Sequence, residues 1–295
     1  MVQPIFDSLK NLLVCTDGSE YSEGAVREAI RLAKTTGASL TVLSVIDFNP
    51  EFQALAPDLV DKMEADIRKH LDEVKEKAAA ESMKVQAFTL LSTAPYIGIA
   101  REAEKVGADL IIMGRRGKTG LKRLLMGSVT KRVIGHAPCS VLVVPREARI
   151  ECKKILCATD GSVYGNSAAA EAVMIAKRYG AELTFISVVH AETTSPLDIV
   201  HSQMHRDLIA ENELRAAEAA IKSATEQADK ENVKCDNMVL AGKSYEVIVG
   251  TASEKGSDLI VIGSHGRTGV DRLLMGSVAE RVVGTSECAV LVVKT

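Results

Sequence analysis

The fold is decided by the stretch ADLIIMGRRGKTGLKRLLMGSVTKRVIG at residues 108–135, because the chain repeats it as SDLIVIGSHGRTGVDRLLMGSVAERVVG at residues 257–284. An earlier stretch, NLLVCTDGSEYS at residues 11–22, recurs as KILCATDGSVYG at residues 154–165. The two pairs are offset by 149 and 143 positions, so the second copy carries about six added residues, and we expect a longer loop or helix near residues 191–205. The chain is therefore two tandem copies of one unit.

The copies are expected to form two domains, at residues 1–147 and 153–295. They meet at PREARIECK, residues 145–153, a charged stretch with a proline that is typical of a linker. A unit of about 145 residues can bury roughly two-thirds of the surface that its unfolded chain exposes. Each copy is thus long enough to have its own core.

Within each copy, short apolar runs alternate with long amphipathic stretches. The predicted strands of the first copy lie at residues 12–15, 39–46, 85–91, 109–113 and 140–144, and the predicted helices at residues 21–35, 58–83, 96–106 and 129–136. Such apolar strands are buried on both faces, and parallel neighbours need long right-handed connections. The sequence predicts an α/β protein with two tandem open five-stranded parallel sheets and helices on both faces.

Composition excludes several classes of function. The 36 basic and 39 acidic side chains give a net charge of -3, so the bulk positive field of a nucleic-acid or anionic-membrane binder is absent. No apolar run is long enough to span a bilayer and no secretory signal opens the sequence, so we expect a cytoplasmic protein. The six cysteines form no CxxC pair and four lie in apolar runs, which favours buried reduced thiols at Cys15, Cys139, Cys157 and Cys288.

One glycine pattern is held in both copies: GxxG, nine residues, then Gly-Ser. Glycines that follow a strand allow close approach of a ligand and can take positive φ without steric cost. Gly-Ser opens a helix, whose free N–H groups and dipole suit phosphate oxygens. Asp17 and Asp160 end the first strand of each copy, where a carboxylate can accept hydrogen bonds from an adenine amino group or a ribose hydroxyl, or help to hold a metal ion. The pattern indicates a nucleotide site, and a capping turn without a ligand is the alternative.

These motifs, with the closing Cys-Ser-Val-Leu-Val-Val, resemble the universal stress protein family over essentially the whole chain, in its ATP-binding branch. The resemblance implies a Rossmann-like fold of the adenine nucleotide alpha hydrolase kind and an ATP site, with magnesium, in each half. The aspartates would hold the adenine and ribose side, Val45 and Val188 would face adenine, and the glycine loop and helix start would take the ribose and phosphates. The implied binding residues are Thr16, Asp17, Val45, Met113, Gly114, Arg116, Gly117, Gly127, Ser128 and Val129 in the first half, and Thr159, Asp160, Val188, Ile262, Gly263, His265, Gly266, Gly276, Ser277 and Val278 in the second.

The function that the resemblance implies is that of an ATP-binding regulatory or stress-response protein. The alternatives are a slow ATP-hydrolysing or autophosphorylating enzyme, or a binder of another adenine nucleotide such as cyclic AMP. Phosphoryl transfer needs a group that orients the nucleophile, and His265 is the only nearby candidate, so no catalytic residue is assigned.

The two sites are not expected to be equal. The third position of the GxxG loop is Arg116 in one copy and His265 in the other. The first site therefore has a permanent cation where the second has a titratable group. We expect the affinity of the second site, and not of the first, to change with pH near neutrality. The family's Gly-x-Pro turn is also incomplete in both halves, which read Thr93-Ala94-Pro95 and Gly242-Lys243-Ser244.

Three further features concern metals, nucleic acids and assembly. His201 and His205 have the spacing of metal ligands on a helix but lack a third ligand, so a solvated face is favoured. The basic residues Lys118, Lys122, Arg123, Lys131 and Arg132 are interpreted as a solvated surface or a nucleotide counter-charge, because their second-half counterparts include Asp271 and Glu280. The apolar last strands, at residues 141–144 and 290–293, are expected to pair within one chain as a pseudo-two-fold, with any further homodimer built on other surfaces. No protein partner is assigned.

Overall fold

The structure, a computed structural model, describes residues 9–47, 55–118, 126–189, 203–267 and 275–295. In the first half the elements are β1 (Asn11–Cys15), α1 (Glu23–Thr36), β2 (Ser39–Asp47), α2 (Pro57–Ala80), β3 (Gln86–Ser92), α3 (Pro95–Lys105), β4 (Leu110–Gly114), α4 (Ser128–His136) and β5 (Ser140–Val144). In the second half they are β6 (Lys154–Ala158), α5 (Val163–Tyr179), β7 (Glu182–Val189), α6 (Gln203–Lys230), β8 (Cys235–Ala241), α7 (Ser244–Lys255), β9 (Leu259–Gly263), α8 (Ser277–Thr285) and β10 (Ala289–Val293).

The ten strands form one sheet, in the order β3-β2-β1-β4-β5-β10-β9-β6-β7-β8. Pairing is parallel within each half and antiparallel where the halves join, between β5 and β10. At this joint Leu142 lies opposite Leu291, and both are buried. The predicted α/β fold is confirmed, and the structure also pairs the two last strands within one chain, as expected.

A core covers each face of the sheet and runs through both halves. Leu12 and Val14 of β1 point to the face packed by α1, α2, α5 and α6, whereas Leu13 and Cys15 point to the face packed by α3, α4, α7 and α8. This alternation along a buried strand is why β1 is apolar at every position.

The first long helix ends earlier than the sequence predicts. The prediction placed its end at residue 83, whereas α2 ends at Ala80. Past α2, Ser82 adopts a left-handed φ of 60°, and the N–H of Met83 bonds to the carbonyl of Ala78. Asn232 takes the same role after α6, with a φ of 57°. The helices stop because a residue in the left-handed conformation satisfies their last carbonyls.

The added residues of the second half lie between β7 and the later turns of its long helix. The helix ends align Ala78 with Ala228, 150 positions later, whereas the first strands are offset by 143. The register keeps the offset of 150 through the next strand, because Leu91 pairs with Ile46 and Ala241 pairs with Val189. Since α3 and α7 begin 149 positions apart, the second half has one residue fewer between that pair and its helix. Of the predicted longer segment at residues 191–205, all but the start of α6 lies outside the described residues.

The predicted linker, residues 145–153, has no helix or strand and packs against α1. The guanidinium of Arg27 donates to the carbonyls of Arg146 and Ala148, and the buried Glu28 accepts from the N–H of Ile150 at 3.3 Å. Ile150 is itself buried in the core. The connection between the halves is therefore an ordered part of the structure.

All six cysteines are free thiols. Cys15, Cys152 and Cys157 are buried, and burial raises the pKa of Cys15 to about 12. Cys139 and Cys288, predicted to be buried, are only partly so, because each precedes rather than lies within its last strand.

None of the helices in the described part of the chain is long and apolar enough to cross a membrane.

Candidate nucleotide site

The predicted site residues lie at the carboxyl ends of the strands in both halves. Strand order reverses between β1 and β4 in the first half and between β6 and β9 in the second, and ligands of such sheets bind at this reversal. One loop there is the Thr-Asp-Gly-Ser turn that follows β1 or β6, and the other is the glycine loop that follows β4 or β9. Each half thus brings two loops that are far apart in sequence to one edge of the sheet.

Asp17 ties these two loops together in the first half. Its Oδ1 accepts hydrogen bonds from the Ser19 N–H at 3.0 Å and the Ser19 hydroxyl at 2.6 Å. Its Oδ2 accepts from the N–H of Lys118, in the glycine loop, at 2.6 Å. A carboxylate has about four lone-pair sites, so Asp17 can hold both loops and still accept from a ligand.

Asp160 repeats this arrangement in the second half. It accepts from the N–H of Ser162 at 3.0 Å through Oδ1 and from the N–H of Arg267 at 2.9 Å through Oδ2. The shared geometry explains why the Thr-Asp-Gly-Ser turn recurs with the glycine loop: the aspartate sets the distance between them.

The glycines of the GxxG loop were expected to allow both close approach and positive φ, and the prediction of positive φ is wrong. None of the four has a positive φ, which occurs instead at Gly18 and Gly161 of the other loop. A Cβ on Gly117 would lie 2.6 Å from Asp17 Oδ2, and one on Gly114 would lie 2.5 Å from the carbonyl oxygen of Tyr21. The second half has the same contacts, with closest approaches of 2.7 Å for Gly263 to Tyr164 and 2.9 Å for Gly266 to Asp160. The space for a side chain is taken by the neighbouring loop.

The Gly-Ser pair opens α4 and α8, as predicted. The N-cap glycines, Gly127 and Gly276, donate their N–H groups to the carbonyls of Arg115 and Ser264, each at 2.9 Å. No side chain caps either helix. The next N–H groups, from Ser128 or Ser277 onward, have no partner within their helix, so both helices present free donors and a positive dipole end.

A cavity of about 560 Å³ lies at this edge of the second half. All ten residues predicted for the second site line it. Strand ends, including Ile186 and Val188, contribute apolar side chains to the lining, and the glycine loop and the start of α8 contribute the rest of the predicted residues. The lining residues that sequence analysis missed are Ala158, Gly165, Ile186, Glu213, Ser244, Ile248, Arg267 and Ala279.

Glu213 is the missed residue with the clearest chemistry. It projects from α6, and the offset of 150 makes Met63 of α2 its counterpart. A carboxylate therefore lines the second site where the first half has a thioether. Only an alignment of the two halves through their long helices, across the unequal connection, would have revealed this difference.

In the first half, the contacts of Asp17, Gly114, Gly117 and Gly127 bring the two loops and the helix start together in the same way. Met113 is buried, and Val45 is partly buried against the same core. Thr16 is also buried, so its side chain supports the turn from below. Ser128 and Val129 follow Gly127 in the first turn of α4.

The cation of the first glycine loop lacks a partner at one nitrogen. The Nε of Arg116 is buried and makes no hydrogen bond with any described residue. A buried donor without a partner costs free energy, so this nitrogen favours an acceptor such as a phosphate oxygen.

His265, at the same position in the second half, is in different surroundings. Its side chain is 7% exposed, Nδ1 lies 2.9 Å from the Ser264 hydroxyl, and its ring lies 4.9 Å from the ring of Tyr164. This histidine is held in place by its own loop. A general base needs access to the reacting proton, so the packing favours a structural or contact role.

A second histidine, His70, was missed because only the tertiary fold brings α2 to the first site. Its Nε2 lies 2.8 Å from the hydroxyl of Thr16, and its ring packs against Gly18. Burial lowers the pKa of His70; the charges of Glu73 and Asp17 raise this pKa, and those of Lys77 and Lys118 lower it further. The counterpart of His70 is Ala220, which packs against Gly161. Among the described side chains, each half therefore has a histidine near its site, at different positions.

The remaining predicted features concern metals and surface charge. Among the described residues, no group of three or more His, Cys, Asp and Glu side chains could hold a metal ion. His201 and the side chain of His205 lie outside the described part of the chain. Of the basic residues, Lys131 pairs with Glu280 at 2.6 Å and Arg132 lies over the ring of Tyr96. Lys122 and Arg123 lie outside the described residues.

Comparisons with known proteins agree with this geometry. The sequence profile described as "Universal stress protein family" matches the chain twice, at residues 8–145 and 151–294. A universal stress protein of Methanocaldococcus jannaschii is 40% identical over 142 residues, which cover 48% of this chain and 82% of that protein. In fold, the chain is similar to a universal stress protein from Archaeoglobus fulgidus, with a TM-score of 0.71 and 22% identity over 96% of both chains. It is also similar to a functionally unknown protein from Pseudomonas aeruginosa, with a TM-score of 0.67 and 22% identity over 99% of this chain and 95% of that one. The chain belongs to the universal stress protein family, as two tandem copies of its domain.

Proposed function

We propose that the protein is a cytoplasmic ATP-binding regulatory protein of the stress response, with one nucleotide site in each half. The observation that carries the proposal is the cavity of the second half, which is lined both by an apolar surface of strand ends and by a helix start without a side-chain cap. Adenine needs the first surface and phosphate oxygens need the second.

Each part of the nucleotide has a matching group. Adenine lies against Val45 in the first half and Val188 in the second. The aspartate at the end of the first strand accepts from the adenine and ribose side. The phosphate chain crosses the glycine loop and reaches the free N–H groups of α4 or α8. At the first site, the unpartnered Nε of Arg116 supplies a donor to a phosphate oxygen.

Magnesium would be bound chiefly through the nucleotide. Because the described residues contain no cluster of ligands for a metal ion, phosphate oxygens and water would supply most of its coordination. The ion would neutralise part of the phosphate charge.

A regulatory role is favoured over an enzymatic one by the donors that line the site. Backbone N–H groups bind phosphate but do not activate a nucleophile, and His265 is packed into its own loop. The nucleotide would act as a ligand that stabilises one state of the protein over another.

The test is the number of ATP molecules bound per chain, with magnesium, measured by titration calorimetry and native mass spectrometry. Wild-type protein is expected to bind two. Val45→Trp and Val188→Trp fill the adenine space of one site each, so each variant is expected to bind one. Glu104→Trp, at an exposed position near the end of α3, is the matched control and should bind two.

Three results would contradict the proposal. Wild-type protein without detectable ATP binding would mean that the glycine motif is structural here. Steady release of ADP and phosphate would favour the enzymatic alternative. Tighter binding of cyclic AMP than of ATP would assign the sites to a different adenine nucleotide.

A further inference from the structure

The two phosphate helices, α4 and α8, are held by side chains from the opposite half. The Nη1 of Arg115, in the first glycine loop, donates to the carbonyl of Ser286 at 2.6 Å, and Ser286 is the C-cap residue of α8. In the other direction, the Nζ of Lys294 donates to the carbonyls of Ile134 and Gly135, at 3.2 and 2.9 Å, in the last turn of α4. A cation at a helix C-terminus stabilises the helix by satisfying its last carbonyls and its dipole.

Arg115 also belongs to the first site through its backbone. Its carbonyl accepts the N–H of Gly127 at 2.9 Å, which fixes the glycine loop against the start of α4. One residue therefore binds the phosphate helix of the first half through its backbone and that of the second half through its side chain. Any shift of the glycine loop on binding a phosphate chain would move the guanidinium that holds α8.

α8 is suited to transmit such a shift to the second site. It has nine residues and is about 13 Å long at 1.5 Å per residue. Its C-terminal end carries the contact with Arg115, and its N-terminal residues, Gly276 to Ala279, line the second cavity. Because Ala279, Val282 and Val283 are buried in the core, the helix moves as a unit and not by bending.

A return connection uses the other cation. The N–H of Ser264, in the second glycine loop, donates to the carbonyl of Val293 at 3.0 Å. Lys294, the next residue, holds the last turn of α4. Ser264 is itself the counterpart of Arg115, so the same loop position contacts the opposite half by a side chain in one copy and through Val293 in the other.

We propose that Arg115 positions α8 and thereby couples the two nucleotide sites, so that occupancy of one site changes the affinity of the other. This proposal rests on the proposed function, because it requires a ligand at each site. Coupling between sites of one protein is typically about 5-fold to 150-fold in affinity, and it acts equally in both directions.

The experiment compares ATP titrations of full-length proteins. Val45→Trp reports the second site alone, and Val188→Trp reports the first site alone. Without coupling, the wild-type isotherm equals the sum of these two. With coupling, the wild-type protein should bind its second ATP with an affinity that differs by at least about fivefold from the value that the sum gives. Arg115→Ala should remove this difference. Lys131→Ala, which removes the exposed pair between α4 and α8, is the matched control and should keep it.

A second readout does not depend on ligand at the second site. In Val188→Trp, ATP at the first site should change the amide hydrogen exchange of α8. When Arg115→Ala is added to this variant, ATP should no longer change the exchange of α8. If Arg115 had only a structural role, its replacement would alter the exchange of α8 by the same amount with and without ATP.

The outcomes separate the two proposals. If wild-type protein binds no ATP, the proposed function fails and the coupling fails with it. If both sites bind ATP and the wild-type isotherm equals the sum, the coupling alone is overturned. The same conclusion follows if Arg115→Ala departs from the sum as the wild type does.

Discussion

Two helical glycines, Gly250 in α7 and Gly24 in α1, should respond in opposite directions to replacement by alanine. A Cβ on Gly250 would have no neighbour within 4 Å. A Cβ on Gly24 would lie 2.6 Å from the carbonyl oxygen of Pro145 and 2.7 Å from that of Arg146. Both oxygens belong to the backbone of the linker, so neither can rotate away.

The magnitudes follow from these distances. Alanine in a helix is more stable than glycine by roughly 0.5–1 kcal/mol, so Gly250→Ala should raise the free energy of unfolding by up to that amount. Gly24→Ala gains at most the same stabilisation from helix propensity, whereas overpacking typically costs about 1–3 kcal/mol. Its net effect should be a loss of up to about 2.5 kcal/mol in the free energy of unfolding. For a protein of this size, 1 kcal/mol corresponds to roughly 2 °C in the melting temperature.

The assay is differential scanning calorimetry with urea denaturation as a second probe, on wild type and both variants at the same protein concentration. Gly250→Ala should melt above the wild type and Gly24→Ala below it. If Gly24→Ala melts as high as Gly250→Ala, the linker does not pack against α1 as described, and the account of the ordered connection fails.

Three further predictions concern pH, the joint between the halves and the first site. Because burial lowers the pKa of His70 below its usual value of 6.5, the unfolded chain takes up a proton before the folded one, so the free energy of unfolding falls as pH drops below about 6.5. His70→Ala should make this fall shallower, as read from urea midpoints at about pH 5 and pH 8. Leu142→Ala, at the joint, should lower the free energy of unfolding by about 2–5 kcal/mol, and an unchanged melting curve would contradict the pairing of β5 with β10. Arg116→Ala should weaken ATP binding at the first site by about tenfold and leave the second site unchanged, which titration of Val188→Trp and Val45→Trp backgrounds would check.

The fold was predictable because its signals are local and occur twice. Apolar strands followed by amphipathic helices predict a parallel sheet from periodicity alone, and a repeated last strand predicts the joint. The glycine motif also predicted which residues meet, since the carboxyl ends of parallel strands share one edge. What it did not predict is why glycine is needed at Gly117: the reason is a contact with Asp17, 100 positions earlier in the chain.

The missed residues come from the long helices and from the opposite half. His70 and Glu213 lie on helices that carry charges nearly all round apart from an alanine and leucine stripe, and only packing selects the residues that reach the site. Arg115 occupies a variable position of the GxxG loop, so the motif predicts no function for its side chain. Its role depends on where α8 ends in space, which sequence spacing does not specify.

The two units are joined covalently by the linker, residues 145–153, and their last strands, β5 and β10, also pair. A dimer of separate identical chains dissociates on dilution, whereas here the effective concentration of each half for the other is set by the connection and does not change with protein concentration. In such a dimer, every mutation would also appear twice, once in each site. A tandem chain removes that constraint, because a substitution in one half leaves the residues of the other half unchanged, so the two halves can differ in sequence.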